Sequence, residues 1–158
     1  MEELSKLKKD YEKLRQKYKL PSFDELNVEF EIEKLQDRET DFLVRQVRRA
    51  IIEKVAVVLR FLELIVNPTE SPTPLYIFSV MKSISPETKK IIEKVYKELI
   101  TIELSSLSMD IDYDEKNEAA FIKEIMAEWN GVKKDLREIT KKLNVSWSHE
   151  KMHDGYFG

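Results

Sequence analysis

The residues best suited to chemistry lie near the end of the sequence, in the run His149-Glu150-Lys151-Met152-His153. Two histidines four positions apart fall on the same face of a helix, where both imidazoles can bind one Zn²⁺ ion. The glutamate between them, Glu150, could act as a general base towards a metal-bound water. His149 and His153 are also the only histidines in the chain, so any imidazole chemistry depends on them. The pattern indicates a candidate zinc site, with Glu150 as the candidate catalytic residue.

These five residues resemble the HExxH motif of zincin metalloproteases. The resemblance implies that His149 and His153 bind zinc and that Glu150 activates water. Such enzymes need a further metal ligand after the motif, and Asp154, directly after His153, is poorly placed to supply it. The motif also follows the last periodic helix and has no predicted cleft beside it. We therefore interpret it as part of a solvated tail, with a zinc-binding protein or zinc-dependent hydrolase as the alternative function.

A second candidate site is the group Arg45, Arg48 and Arg49, which share one face at helical spacing. Such a group could bind phosphate, which makes nucleic-acid binding the second alternative. Residues 21–44, directly before it, carry eight acids and two bases, a net charge of −6. The whole chain has a net charge of −3, opposite in sign to most nucleic-acid-binding proteins. We therefore expect the arginines to form ion pairs within the chain.

The composition excludes several other kinds of site. The 158-residue chain has no cysteine, which rules out disulfides, thiol catalysis and Cys-ligated metal centres. Its three glycines are Gly131, Gly155 and Gly158, so there is no glycine-rich phosphate-binding loop in the first 130 residues. Residues 110–114 alternate aspartates as calcium loops do, but the glycine and glutamate that such a loop needs later are missing. We interpret these aspartates as a helix cap.

The first predicted helix covers residues 2–19. Its apolar residues alternate at spacings of three and four, the heptad pattern of a helix that packs on one partner helix. These seam residues are Leu4, Leu7, Tyr11, Leu14 and Tyr18. Because Pro21 disfavours helical geometry in the residue before it, the helix should end by Leu20.

A second seam of the same type lies along one face of the last predicted helix, residues 114–143. Its members are Ile122, Ile125, Trp129, Val132, Leu136 and Ile139, followed by Leu143. Gly131 lies within this helix, and we expect a kink or a close helix contact there. The apolar period ends after Val145, so residues 146–158 are predicted to be an irregular tail. We expect the two seams to pack along each other, within one chain or between two.

The residues after the first helix are ambiguous. Ser22 and Glu25 have capping-box spacing and should begin a short helix. Residues 26–32 then alternate between apolar and polar, which is strand periodicity, but no second strand is predicted nearby. We interpret this segment as a short helix that continues into an extended connector.

Three more helices are predicted in the middle of the chain. The apolar period holds over residues 38–66, which predicts a central helix. Thr73 should cap the next helix, 74–84, which has almost no polar face and should therefore be buried. Ser85, followed by proline, should begin a helix that continues to residue 107 or 109.

Together these patterns predict an all-α fold, a single-domain bundle of five to six helices over residues 1–145 with a short tail, 146–158. No apolar run approaches the ~20 residues of a membrane span, and the first residues are acidic and polar. We therefore expect a cytoplasmic protein without membrane contact. The predicted function is a non-enzymatic helical interaction or scaffold protein, without a cofactor. It would bind a protein partner or form a homodimer through the two seams.

Overall fold

The computed structural model describes residues 2–38, 40–68 and 74–153, and for residues 150–153 it describes the backbone alone. Within these ranges the chain is helical and has no strand, which confirms the predicted all-α fold. The α-helices are α1 (Glu2–Tyr18), α2 (Phe23–Phe30), α3 (Leu43–Val66), α4 (Leu75–Ser83), α5 (Pro86–Ile111) and α6 (Glu115–His153). A 3-10 helix, Ile32–Leu35, lies between α2 and α3. None of the helices in the described ranges is both long and apolar enough to cross a membrane.

The chain divides into two compact units. Unit 1 contains the residues up to Ala56 together with Thr101–Trp129, and unit 2 contains Val57–Ile100 together with the residues from Asn130 onward. Each unit has its own buried apolar residues. The helices α3, α5 and α6 contribute residues to both units. The division of the chain at residue 145 stays a prediction.

Local hydrogen bonds define the turn between α1 and α2 in unit 1. The buried Tyr11 donates its hydroxyl hydrogen to the Pro21 carbonyl at 2.7 Å, and its ring meets that of Phe23 edge-on. The amide of Glu25 donates to the Ser22 hydroxyl at 3.2 Å, and the amide of Ser22 donates to the Glu25 carboxylate at 2.7 Å. This reciprocal pair is the predicted capping box, which is confirmed.

Residues 26–30 belong to α2, so the alternating pattern does not begin an extended connector there. Leu26 and Phe30, one turn apart, are buried, whereas Val28 is exposed. Glu31 has φ 55° and ψ 44°, the left-handed conformation that ends many helices. The chain then turns into the 3-10 helix, and Ile32 is buried as well. The apparent strand period arises from a helix end followed by a change of direction.

Several helix limits differ from those predicted. The central helix begins at Leu43, not at residue 38, and α5 continues to Ile111. Ser85 caps α5 as predicted, because its hydroxyl accepts a hydrogen bond from the Thr88 amide at 3.2 Å. Thr73 lies outside the described residues. A helix cap depends on residues close in the sequence and was therefore predictable. The length of each helix depends on how it packs, which the sequence pattern does not give.

The predicted burial of the 74–84 helix is wrong. In α4, Ile77 and Val80 are buried, but Leu75 is 86% exposed and Phe78 is 42% exposed. A helix of nine residues packed on one side covers only the residues of that side, whatever the polarity of the others.

The predicted irregular tail is corrected, and of the two alternatives predicted at Gly131, a kink or a close helix contact, the contact is not found. The helix α6 continues ten residues beyond Leu143 and ends at His153. A Cβ atom placed on Gly131 would lie more than 4 Å from every atom outside its local helix segment. The glycine is therefore not required by a close helix contact.

Candidate functional site

The HExxH residues lie in the last turns of α6. His149 is exposed, whereas the side chains of Glu150 and His153 lie outside the described residues, as does Asp154. In the described part of the chain, no group of three or more His, Asp or Glu side chains is placed to hold a metal ion. Zinc binding at this motif, and hydrolysis by it, stay predictions.

The three arginines lie on α3 in unit 1, where Arg48 is the centre of a buried polar network. Arg48 is fully buried. Its guanidinium donates to the carboxylate of Glu118 on α6, which is also fully buried, and to the hydroxyl of Ser106 on α5. A third hydrogen bond reaches the Asp110 carboxylate, with 2.5 Å between Nη2 and Oδ1. The charge of Arg48 is thus compensated without contact with water.

The two neighbouring arginines extend this network. Arg45 Nε lies 3.1 Å from Glu118 Oε1, and its Nη2 donates to the Met109 carbonyl at 2.9 Å. Arg49, which is nearly half exposed, places its Nη2 3.1 Å from Asp110 Oδ1. The network therefore connects α3, α5 and α6 inside unit 1.

The ion pairs expected for the arginines do form, but with other partners. Residues 21–44 were expected to supply the acids, and those described here are Asp110 and Glu118 of α5 and α6. Sequence distance misled the prediction, because acids and bases 60 to 70 positions apart meet when the helices pack. Since Arg48 has no exposed surface, the arrangement offers little support for nucleic-acid binding, which stays a prediction.

The network changes the ionisation of two of its groups. Burial raises the pKa of the Asp110 carboxyl, but hydrogen bonds from Arg48 and Arg49 outweigh burial and hold that pKa below its ordinary value of 3.8. Burial lowers the pKa of Arg48, and its hydrogen bonds to Glu118 and Asp110 raise it by more. Both shifts favour the charged forms of Asp110 and Arg48, so the ion pair between them stabilises unit 1.

The predicted interface residues are mostly covered within the chain. Buried are Leu7, Tyr11, Ile122, Ile125, Trp129, Val132 and Ile139, and half-buried are Leu4, Leu14, Tyr18 and Leu136. The ring of Trp129 lies 5.0 Å from that of Phe30, and its indole N–H donates to Glu29 at 3.0 Å. Because Tyr11 contacts Phe23, both seams contact α2 in unit 1.

The open part of the first seam lines a groove in unit 1. This groove, about 600 Å³ in volume, lies between α1 and the residues around the start of α3. Leu7, Leu14, Leu35 and Leu43 are its apolar lining. Its remaining lining residues carry both signs of charge, so the groove does not select a partner by charge.

A more exposed apolar surface lies in unit 2, where α4 and α6 meet. We call Leu75, Tyr76, Phe78, Val145 and Trp147 the aromatic surface; all five are exposed. The Tyr76 and Trp147 rings meet edge-on with centroids 6.2 Å apart, which shows that the two helices are adjacent here. Large apolar side chains exposed near one helix–helix contact are typical of binding sites.

A groove lies between α6, the end of α4 and the start of α5. Its volume is about 500 Å³, and its lining includes Ser83, Ser85, Glu138, Lys141, Lys142 and Val145. The aromatic surface and this groove share Val145, so two lysines lie next to one of its members. These groups suit the binding of a surface that is both apolar and acidic.

The sequence did not predict the aromatic surface, because α4 is apolar on nearly all sides. Such a pattern is typical of a buried helix and does not show which side is covered. One signal was available, since Trp147 follows the end of the predicted seam and aromatic residues are enriched at interfaces. Comparisons with protein-family models, curated proteins and solved structures found no match to this chain.

Proposed function

We propose that this chain is a non-enzymatic helical interaction protein and that it binds a protein partner through the aromatic surface of unit 2. The observation that carries the proposal is the exposure of Leu75, Tyr76 and Phe78 on a single short helix, beside Trp147. Leaving large apolar side chains in water forgoes about 1.5–3 kcal/mol each relative to full burial. A partner that covers them recovers part of this free energy.

The seam hypothesis changes in one respect. We retain the function proposed from the sequence but assign partner binding to the aromatic surface and not to the seams. Most seam residues are already buried within the chain. The α1 groove is the part of the seams that is still accessible. Four acids and three bases line it, whereas two lysines and one glutamate line the groove of unit 2, so the α1 groove is the less selective for charge.

The proposal is tested by measuring binding with purified components. The chain is used to capture proteins from cells, each candidate is purified, and its affinity for the wild-type chain is measured by calorimetry. We expect one defined partner, or the chain itself, to bind, and Phe78→Lys to weaken that binding at least about tenfold.

Val28→Lys is the matched control, because Val28 is an exposed apolar residue on α2 in unit 1. It should leave the affinity unchanged. Equal losses for Phe78→Lys and Val28→Lys, or the absence of any saturable partner, would contradict the proposal.

A further inference from the structure

A second exposed apolar surface lies on α5 in unit 1. Leu104, Leu107 and Ile111 are 61%, 59% and 78% exposed. Their spacings of three and four place them on one face of the helix. We call these three residues the α5 stripe. An apolar helix face with this spacing is the kind that inserts into a groove of another protein.

The segment that carries the α5 stripe has only acidic residues among its own charged residues. Residues 101–115 contain five acids and no lysine or arginine. Asp110 is already engaged by Arg48 and Arg49, and Glu115 by Lys17, whereas Asp112 is exposed and Glu103 is half-buried. The stripe is therefore the apolar face of an acidic segment.

The aromatic surface has the opposite electrostatic surroundings. Residues 133–142 of α6 contain five bases and two acids, a net charge of +3 in a chain whose net charge is −3. Lys141 and Lys142 line the groove beside the aromatic surface, and Lys82 of α4 is exposed. One of these lysines, Lys142, is paired with Glu138 at 2.7 Å, so Lys141 and Lys82 are the cations that matter most for a partner.

We propose that the partner of the aromatic surface is a second copy of this chain, which inserts its α5 stripe there. The pairing brings the acids beside the stripe to the lysines of α4 and α6. Pairing two α5 stripes would bring acids together, and pairing two aromatic surfaces would bring lysines together. Charge complementarity therefore selects the mixed, head-to-tail pairing over both symmetric ones.

This inference rests on the function proposed above, because it names the occupant of the same surface. A head-to-tail contact uses two different surfaces, so each bound copy still has one of each surface available. Association should therefore continue beyond the dimer as the concentration increases, unless the copies close into a ring.

The test uses two variants of the full chain in analytical ultracentrifugation. Leu107→Lys removes the stripe and keeps the aromatic surface, and Phe78→Lys does the reverse. We expect the wild type to associate and each variant alone to be monomeric. An equimolar mixture should form a one-to-one dimer and no larger species, because it contains one intact copy of each surface.

A monomeric wild type at high concentration, or a mixture that stays monomeric while the wild type associates, would overturn the inference. Monomeric wild type with a different purified partner bound at Phe78 overturns this inference and leaves the proposed function standing. If no partner of any kind binds, both fail.

A charge exchange gives a second measurement that does not depend on the apolar residues. Lys141→Glu and Asp112→Lys should each weaken association, and the double variant should recover part of it. Both positions are exposed, so circular dichroism should show unchanged helix content. Additive losses without recovery would contradict the proposed pairing of these two charges.

Discussion

The fully buried guanidinium of Arg48 depends on a small number of partners for its charge. Glu118 is the one that is itself fully buried, and Asp110 and Ser106 complete the set. Removing one member of a buried ion pair leaves the other charge without compensation, which costs far more than breaking an exposed pair. The arginine cluster therefore has a structural role in unit 1, and its residues differ in importance according to burial.

We predict that Glu118→Ala lowers the free energy of unfolding by about 3–5 kcal/mol, because it leaves Arg48 buried beside a vacated carboxylate position. Arg49→Ala, at the exposed edge of the same network, should cost less than about 1 kcal/mol. Urea denaturation of both variants measures the difference. Similar losses for the two would mean that burial of the network does not govern its contribution.

Asp110 makes unit 1 sensitive to acid. Because its pKa in the folded chain lies below the ordinary value of 3.8, its carboxylate stabilises the fold above that pH. The contribution should be complete above pH ~5 and should be lost as the pH falls through 3.8 towards the lower folded value.

We therefore predict that Asp110→Asn destabilises the chain most near neutral pH and that the difference from the wild type shrinks under acid. Unfolding free energies measured over a pH series check this. Glu115, whose pKa is lowered by hydrogen bonds from Lys17 and Tyr18, stays in both proteins and cancels in the comparison. A difference that stays constant with pH would contradict the assignment.

At the scale of elements, local sequence accounts for where helices begin. Ser22 and Ser85 cap α2 and α5 through hydroxyls that accept amide hydrogens three residues later, as their spacing predicted. The continuous apolar period through Gly131 likewise predicted the continuous α6. These features depend on residues within one turn, which is why the sequence alone was sufficient.

Gly131 offers a direct test at this scale. It lies inside α6, and an added methyl group would have no neighbour within 4 Å outside its own stretch of helix. We predict that Gly131→Ala raises the free energy of unfolding by about 0.5–1 kcal/mol, because alanine favours the helix. Thermal denaturation measures the change. A loss of stability would show that the glycine has a role that a side chain obstructs.

At the scale of the whole molecule, charge is unevenly distributed along the chain. All charged residues of the segment 101–115 are acids, whereas the segment 133–142 has a net positive charge. Exposed apolar side chains accompany each region, the α5 stripe in the first case and the aromatic surface in the second. This distribution favours association between unlike surfaces.

We predict that self-association of the wild type weakens as sodium chloride increases from about 0.05 to 0.5 M, because screening shortens the range of the attraction between exposed charges. Sedimentation at several salt concentrations measures this. The charge-exchanged double variant should show the same salt dependence. Association that strengthens with salt would indicate that apolar contact alone drives it.

The candidate site was only partly accessible to prediction. The spacing correctly predicted that Leu7 and Tyr11 share a face of α1 and that Trp129 and Ile139 share a face of α6. All four residues proved to be buried within the chain. Periodicity tells which residues share a face, and it carries no information about what covers that face. The exposed face of α4 was missed for the same reason.

Composition and short-range spacing were enough to predict the helical class and the caps at Ser22 and Ser85, and to exclude cysteine chemistry and glycine-rich phosphate loops in the first 130 residues. Those properties follow from composition and from interactions within a few residues. The tertiary structure alone decided that Arg48 pairs with Glu118, seventy positions away, and that Leu75 and Phe78 face water. Contacts between distant segments depend on how whole helices pack, and that choice is made by the entire apolar surface of each unit.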